Sequence, residues 1–277
     1  MTPLLTSLPF AVSPELRLVL AAAEQAGDAI KKIYQGAYEI REKSDNRGPV
    51  TEADILSNEI IQAALAPSGF AVLSEETDDT AARLTADKVW VIDPLDGTQD
   101  FVNQTGEFAV QIGLAVGGRA SLGVVYQPAA ERWYIAERGQ GAYCGSAAGW
   151  QRARVSSVSR LAAARAIMSK SHLSDRERDF LESVHISTYD QYGSCGLKVA
   201  AIGTGDKDMY LATGGKITQW DTCAPCCFVT EAGGRMTDMR GAEFVYNGKT
   251  VRHEEGVLVT NGRLHDYVVR AYREFSG

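Results

Sequence analysis

The sequence predicts a mixed α/β fold built in layers, and three observations carry that expectation. Two early stretches place leucine, isoleucine, valine and alanine at three- and four-residue spacing, the pattern of amphipathic helices. Residues 107–144 read as successive strands divided by Gly-Gly, Gln-Pro and Arg-Gly turns, an antiparallel meander. Beyond residue 164, helical and strand patterns alternate, as they do where helices cover a sheet.

Taken in order, Ser13-Pro14 supplies a cap and a first-turn proline for a helix over 15–34. Gly36 breaks it, and the polar run 43–49, with Asn46-Arg47-Gly48-Pro49, predicts a flexible loop. Thr51-Glu52-Ala53-Asp54 resembles a capping box opening a second helix, whose apolar face is Ile55, Ile60, Ile61 and Leu65. Pro67-Ser68-Gly69 ends it. A strand over 70–73 then delivers Ser74-Glu75-Glu76, and a strand over 89–92 runs into a loop, Asp93-Pro94-Leu95-Asp96-Gly97-Thr98. The meander strands are 107–116, 120–127, 132–136 and 141–144, and the polar stretch 150–159 marks a boundary between two lobes, 1–150 and 151–277. The second lobe reads as strand 164–168, helix 175–183, strand 184–189, helix 197–203 and strand 208–211. A helix over 222–232, stopped by Gly233-Gly234, a strand over 257–260 and a helix over 265–275 complete it.

At 277 residues, with 45% apolar and 23% charged residues, the chain has the composition of a globular protein with a sizeable core. A net charge of -7 argues against a partner that is a nucleic-acid polymer or an anionic membrane surface. Small anions held by local cations or metals remain compatible with it. The first twelve residues lack a signal-peptide pattern, and no run reaches the roughly 20 apolar residues of a membrane helix. The expectation is a cytoplasmic protein without stable membrane insertion. Five cysteines suit reduced thiols. Cys223-Ala224-Pro225-Cys226-Cys227 contains a C-x-x-C spacing but lacks a second pair or a neighbouring histidine for a zinc site, so buried apolar cysteines on a helix are the better reading.

Asp93 and Asp96, close together at a strand end, repel each other unless protons or cations neutralise them. Clustered oxygen ligands suit Mg²⁺ better than Zn²⁺. Aspartate, proline and glycine are also ordinary turn residues, so this stretch alone leaves a solvated turn and a metal site both open. Asp54 is equally a partner for the helix dipole. Glu75-Glu76, His172 and Lys198, each taken alone, fit ordinary solvated or packed roles.

Together, Asp54 after Val50-Thr51-Glu52-Ala53, Ser74-Glu75-Glu76, Asp93-Pro94-Leu95-Asp96-Gly97-Thr98 and Trp220-Asp221 resemble, in order and separation, the inositol monophosphatase superfamily of magnesium-dependent, lithium-sensitive phosphatases. The resemblance runs from the first helix to the last and implies a layered αβαβα sandwich with the active site between two lobes. It implies that Glu75, Asp93, Asp96, Asp221 and the Leu95 carbonyl hold two or three Mg²⁺ ions per site. It implies that Thr98 orients the attacking water and that Asp54 accepts a proton, with Glu75 beside them.

Ser169-Lys170-Ser171-His172 and Gly193-Ser194-Cys195-Gly196-Leu197-Lys198 resemble motifs of the 3'(2'),5'-bisphosphate nucleotidase branch. That branch implies hydrolysis of 3'-phosphoadenosine 5'-phosphate to AMP and phosphate. Ser169, His172, Ser194 and Lys198 would then join Gly97, Thr98 and Asp221 in binding the nucleotide. One departure touches the substrate: where these nucleotidases commonly carry a basic residue, glutamate and an aromatic, this chain has Gln99-Asp100-Phe101. Inositol phosphate or fructose 1,6-bisphosphate on the same scaffold is the alternative substrate class, and a non-catalytic metal or nucleotide sensor is the alternative function. Dimers being common in the family, a homodimer is compatible with the resemblance.

Overall fold

The computed structural model describes residues 7–36, 40–42 and 49–277, so the loop expected at 43–49 lies, Pro49 apart, outside the described residues. Helix α1 (Pro14–Tyr34) begins where Ser13 Oγ accepts the Leu16 N–H at 3.0 Å and Pro14 occupies the first turn. Short strands β1 (Ile40–Glu42) and β2 (Pro49–Thr51) pair antiparallel and lead into α2 (Glu52–Leu65).

The apolar stripes of α1 and α2, including Leu16, Val19, Leu20, Ile30 and Ile61, pack with Trp90, Ile92, Val110, Ile112, Val124 and Ile135 of a seven-stranded sheet. Its strands follow one another in chain order: β3 (Ala71–Ser74), β4 (Lys88–Asp96), β5 (Ala109–Val116), β6 (Arg119–Gln127), β7 (Arg132–Glu137), β8 (Gly141–Ser146) and β9 (Gly149–Arg152). β3 and β4 are parallel, and every later pair is antiparallel. A five-residue helix, α3 (Thr98–Val102), follows β4 directly.

The second half builds a five-stranded sheet in the order β11 (Tyr189–Tyr192), β10 (Ala166–Ser169), β12 (Met209–Ala212), β14 (Val257–Thr260) and β13 (Arg235–Thr237). Helices α5 (Cys195–Gly203) and α6 (Gln219–Glu231) lie between the two sheets. Val199, Ile202 and Val229 pack on the five-stranded one, and Ala200, Cys227 and Phe228 on Ala136 and Ala142 of the other. Helices α4 (Asp175–Ser183) and α7 (His265–Ser276) cover the far face through Phe180, Leu181, Val268 and Tyr272. The five layers are therefore α, β, α, β, α, the sandwich expected.

Two glycines explain how α6 comes so close to its sheet. Gly113 and Gly123 are cross-strand partners on β5 and β6. A Cβ on Gly123 would fall 2.1 Å from the Ala224 carbonyl oxygen, and one on Gly113 would fall 2.7 Å from Cys223 Sγ. The C-x-x-C segment is thus the packing face of α6. Burial pushes the Cys223, Cys226 and Cys227 thiols up, away from the reactive thiolate.

Three stretches differ from their sequence reading. The strand expected at 184–189 is instead β11 at Tyr189–Tyr192, because Val184 and Ile186 close α4 onto the outer core through Val184 N–H to Phe180 and Ile186 N–H to Leu181. Trp150–Arg152, the start of the polar stretch taken as a lobe boundary, instead belong to the edge strand β9 (Gly149–Arg152). The strand ending at Ile92 continues to Asp96, so the paired aspartates stand on a strand and not on a loop. Among the described residues, no helix is long and apolar enough to cross a membrane.

Candidate active site

β4 pairs regularly with β5 from Lys88 to Asp93, then slips register between Asp93 and Asp96. Such a bulge re-aims side chains and is common beside functional sites. Pro94, which offers no N–H to a ladder, sits at the slip, and its carbonyl oxygen accepts the Ser57 hydroxyl at 2.8 Å. Asp93 turns back to accept the Leu95 N–H at 3.1 Å.

Asp96 is where the two halves of the chain meet. Its carboxylate accepts Gln111 Nε2 at 2.6 Å from β5, and from the second half the Ser194 hydroxyl at 2.5 Å and the Cys195 and Gly196 N–H groups at 3.0 and 2.8 Å. Gly97 (φ 96°) makes this approach feasible, since a Cβ there would stand 2.9 Å from the Glu107 carbonyl oxygen and 3.3 Å from Ser194 N.

Asp221 arrives from the start of α6. Thr218 and Asp221 form a capping box, the Thr218 N–H and hydroxyl donating to Asp221 Oδ2 at 2.6 and 2.7 Å. Ligand oxygens of Asp93, Asp96 and Asp221 then lie within 4.8 Å of one another. Although Asp221 retains some exposed surface, desolvation, followed by the charges of Asp96 and Glu75, pushes its carboxyl up to about 7. Three carboxylates at this separation suit a cation, and a donor set of oxygens without histidine or cysteine suits a hard divalent ion. Glu75 follows β3, where its N–H reaches the Ile92 carbonyl at 3.2 Å. Its charge is felt at Asp221, but it stands outside the 4.8 Å cluster.

Asp54 resolves an ambiguity of the sequence by doing both things open to it. Its Oδ2 caps α2, accepting the Thr51 N–H at 2.8 Å and hydroxyl at 2.7 Å, while its Oδ1 accepts the Thr98 hydroxyl at 3.0 Å. The Leu95 carbonyl oxygen, 3.3 Å from the same hydroxyl, is the alternative acceptor for that single hydrogen.

The residues expected to bind substrate divide. Ser169 and His172 share a turn after β10, the His172 N–H donating to Ser169 Oγ at 3.1 Å. Ser194 and Lys198 are both engaged within the protein. Ser194, at φ 48°, spends its hydroxyl on Asp96 and on capping α5, accepting the Leu197 N–H at 3.1 Å. Buried Lys198 donates to the carbonyl oxygens of Tyr192, Gly193 and Ser194 at 3.3, 3.3 and 2.7 Å. Both residues, in this arrangement, hold the loop that grips Asp96.

Other contributors carry little sequence signal. Gln111 is one polar residue inside an apolar strand. Arg83, buried, binds both Asp79 carboxylate oxygens and Asn247 Oδ1, and the Asn247 N–H donates at 2.7 Å to Gln219 Oε1, the first residue of α6. Thr218 was legible, because Thr218-x-x-Asp221 repeats the spacing of Thr51-x-x-Asp54.

The sequence profile described as the inositol monophosphatase family matches residues 12–276. A 3'(2'),5'-bisphosphate nucleotidase CysQ of Aggregatibacter actinomycetemcomitans is 31% identical over 245 residues, 87% of this chain and 90% of that protein. A histidinol-phosphatase of Mycobacterium tuberculosis is 33% identical over 265 residues, 92% and 96% of the two chains. Among solved structures, the extragenic suppressor protein SuhB of Bartonella henselae is similar at a TM-score of 0.82 and 26% identity, covering 95% of this chain and 99% of its own. With its carboxylates gathered on the shared fold, the chain belongs to the inositol monophosphatase family of phosphatases.

Proposed function

We propose that this phosphatase is a Mg²⁺-dependent phosphomonoesterase that hydrolyses 3'-phosphoadenosine 5'-phosphate to AMP and phosphate. The observation that carries the reaction class is the meeting of Asp93, Asp96 and Asp221 within 4.8 Å, with the Asp54–Thr98 pair joined to the same β4 bulge. The similarity to a CysQ nucleotidase supports the substrate.

Glu75, Asp93, Asp96, Asp221 and the Leu95 carbonyl would hold the metal. Bound there, Mg²⁺ supplies positive charge that acidifies the attacking water and offsets charge on the leaving oxygen. Thr98 gives its hydrogen to Asp54 and keeps oxygen lone pairs to accept one from the water. Asp54, fixed by two hydrogen bonds from Thr51, is the terminal proton acceptor. Ser194, Lys198 and Gln111 keep Asp96 oriented, while Ser169 and His172 border the nucleotide from the second lobe.

Phosphate release in Mg²⁺ from the bisphosphate nucleotide, inositol 1-phosphate, fructose 1,6-bisphosphate and histidinol phosphate tests the reading. The highest kcat/KM is expected for the nucleotide. A higher value for histidinol phosphate would favour the activity named for the 33% identical relative, and release from none would refute catalysis.

A further inference from the structure

Three neighbouring strands of the second sheet end side by side. β11, β10 and β12 are adjacent, and β10 is parallel to both others, so the segments that follow them leave from one edge. These segments are Gly193–Ser194, which grips Asp96, the Ser169–His172 turn, and residues 213–218, which lead into α6 and Asp221. Ligands of parallel α/β sheets gather at such an edge.

The charges there are unusual for a chain of net charge -7. Lys216 is exposed in the 213–218 segment, five residues before Asp221, and among the described residues it has no ion-pair or hydrogen-bond partner. Lys198 is buried, its ammonium on the Tyr192, Gly193 and Ser194 carbonyls. Lys170 is offset by Glu107 at 3.0 Å and Asp100 at 4.0 Å. Lys216 and Lys198 are both felt at His172: after desolvation, their charges help hold its imidazole below the usual histidine value. The nearby carboxylate, buried Glu177, is engaged by the Thr213 N–H and hydroxyl at 2.7 and 3.1 Å and by the Ser174 N–H at 2.8 Å. The rim is therefore cationic beside a carboxylate cluster. Gln99 and Asp100, directly after Thr98, bring no positive charge from the first lobe.

We propose that Lys216 is a specificity-determining residue that receives the second, uncleaved phosphate of the substrate and so selects bisphosphorylated over monophosphorylated molecules. The inference rests on the phosphomonoesterase reading above and deepens it. The same charge disfavours histidinol phosphate, whose amino group is protonated at neutral pH. Lys216 is suited to the task because an exposed ammonium on a loop before a helix can meet a phosphate without leaving a buried charge unpaired when the site is empty.

The test compares 3'-phosphoadenosine 5'-phosphate with adenosine 3'-phosphate, which lacks the second phosphate, in saturating Mg²⁺. In the unaltered chain kcat/KM is expected to favour the bisphosphate. Lys216→Ala should shrink that preference about tenfold, chiefly through KM, as expected for lost binding away from the reacting bond. Lys216→Glu should shrink it further and Lys216→Arg should restore most of it, while Lys32→Ala on α1 controls for net charge. Equal losses on both nucleotides, or an unchanged preference, would overturn the role of Lys216. Failure of the unaltered chain to cleave either nucleotide would instead sink the substrate reading, and this inference with it.

Discussion

Two helix starts in this protein are built alike and used differently. Thr51-x-x-Asp54 opens α2 and Thr218-x-x-Asp221 opens α6, each with threonine N–H and hydroxyl on aspartate Oδ2. The difference lies beyond the cap. Asp54 meets a hydroxyl, Thr98, and is placed to take a proton. Asp221 meets Asp93 and Asp96, and the resulting repulsion is a demand for positive charge. A local motif can thus spend one carboxylate oxygen on starting a helix while tertiary neighbours decide what the residue does.

Changing Asp221 should have the largest effect. Asp221→Asn is expected to lower kcat/KM by about 1000-fold, the upper range for losing a group that supports transition-state charge. It should also weaken the rise in melting temperature on adding Mg²⁺. Asp54→Asn should cost about 100-fold in kcat, as for a lost general base, with the Mg²⁺-dependent melting shift retained. Equal loss of metal response in both variants would erase the contrast between them.

A subtler separation comes from pH. In the chelated protein the Asp221 carboxyl titrates near 7, against 3.8 unfolded, so between these values the folded state binds the extra proton. That contribution to stability is present below about 4 and is lost as pH rises through about 7. Melting temperatures of chelated protein and of Asp221→Asn, taken across this range, should show a steeper decline in the former, and Mg²⁺ should offset it. Asp54→Asn should leave the slope in place.

The smallest effects concern the caps. Thr51→Ala and Thr218→Ala should each cost about 1 kcal/mol in urea denaturation, the usual value of an N-cap side chain. Thr218→Ala should in addition carry the decline to higher pH, because it removes the hydroxyl hydrogen bond that helps pull the Asp221 carboxyl down, while the residue 218 N–H still donates to it.

Local sequence determined a good deal. Local sequence pattern gave α1, α2, α4, α5, α6 and α7, and turn dipeptides gave the meander, because these signals act over a few neighbouring residues. The short strands β9 and β13 and the β1–β2 pair escaped, since three or four residues carry too little pattern. Carboxylate motifs identified Asp93, Asp96 and Asp221 as a group, and the structure brings their ligand oxygens within 4.8 Å.

Tertiary structure alone decided how those residues are held and which way Lys198 turns. The β4 bulge, the seat of α6 on Gly113 and Gly123, the Gln111 contact with Asp96 and the Arg83–Asn247–Gln219 chain join segments far apart in sequence. Lys198 carries an ammonium whatever its surroundings. That it caps three carbonyls of its own loop while Lys216 stands exposed beside His172 follows from where three parallel strands end, which requires the assembled sheet.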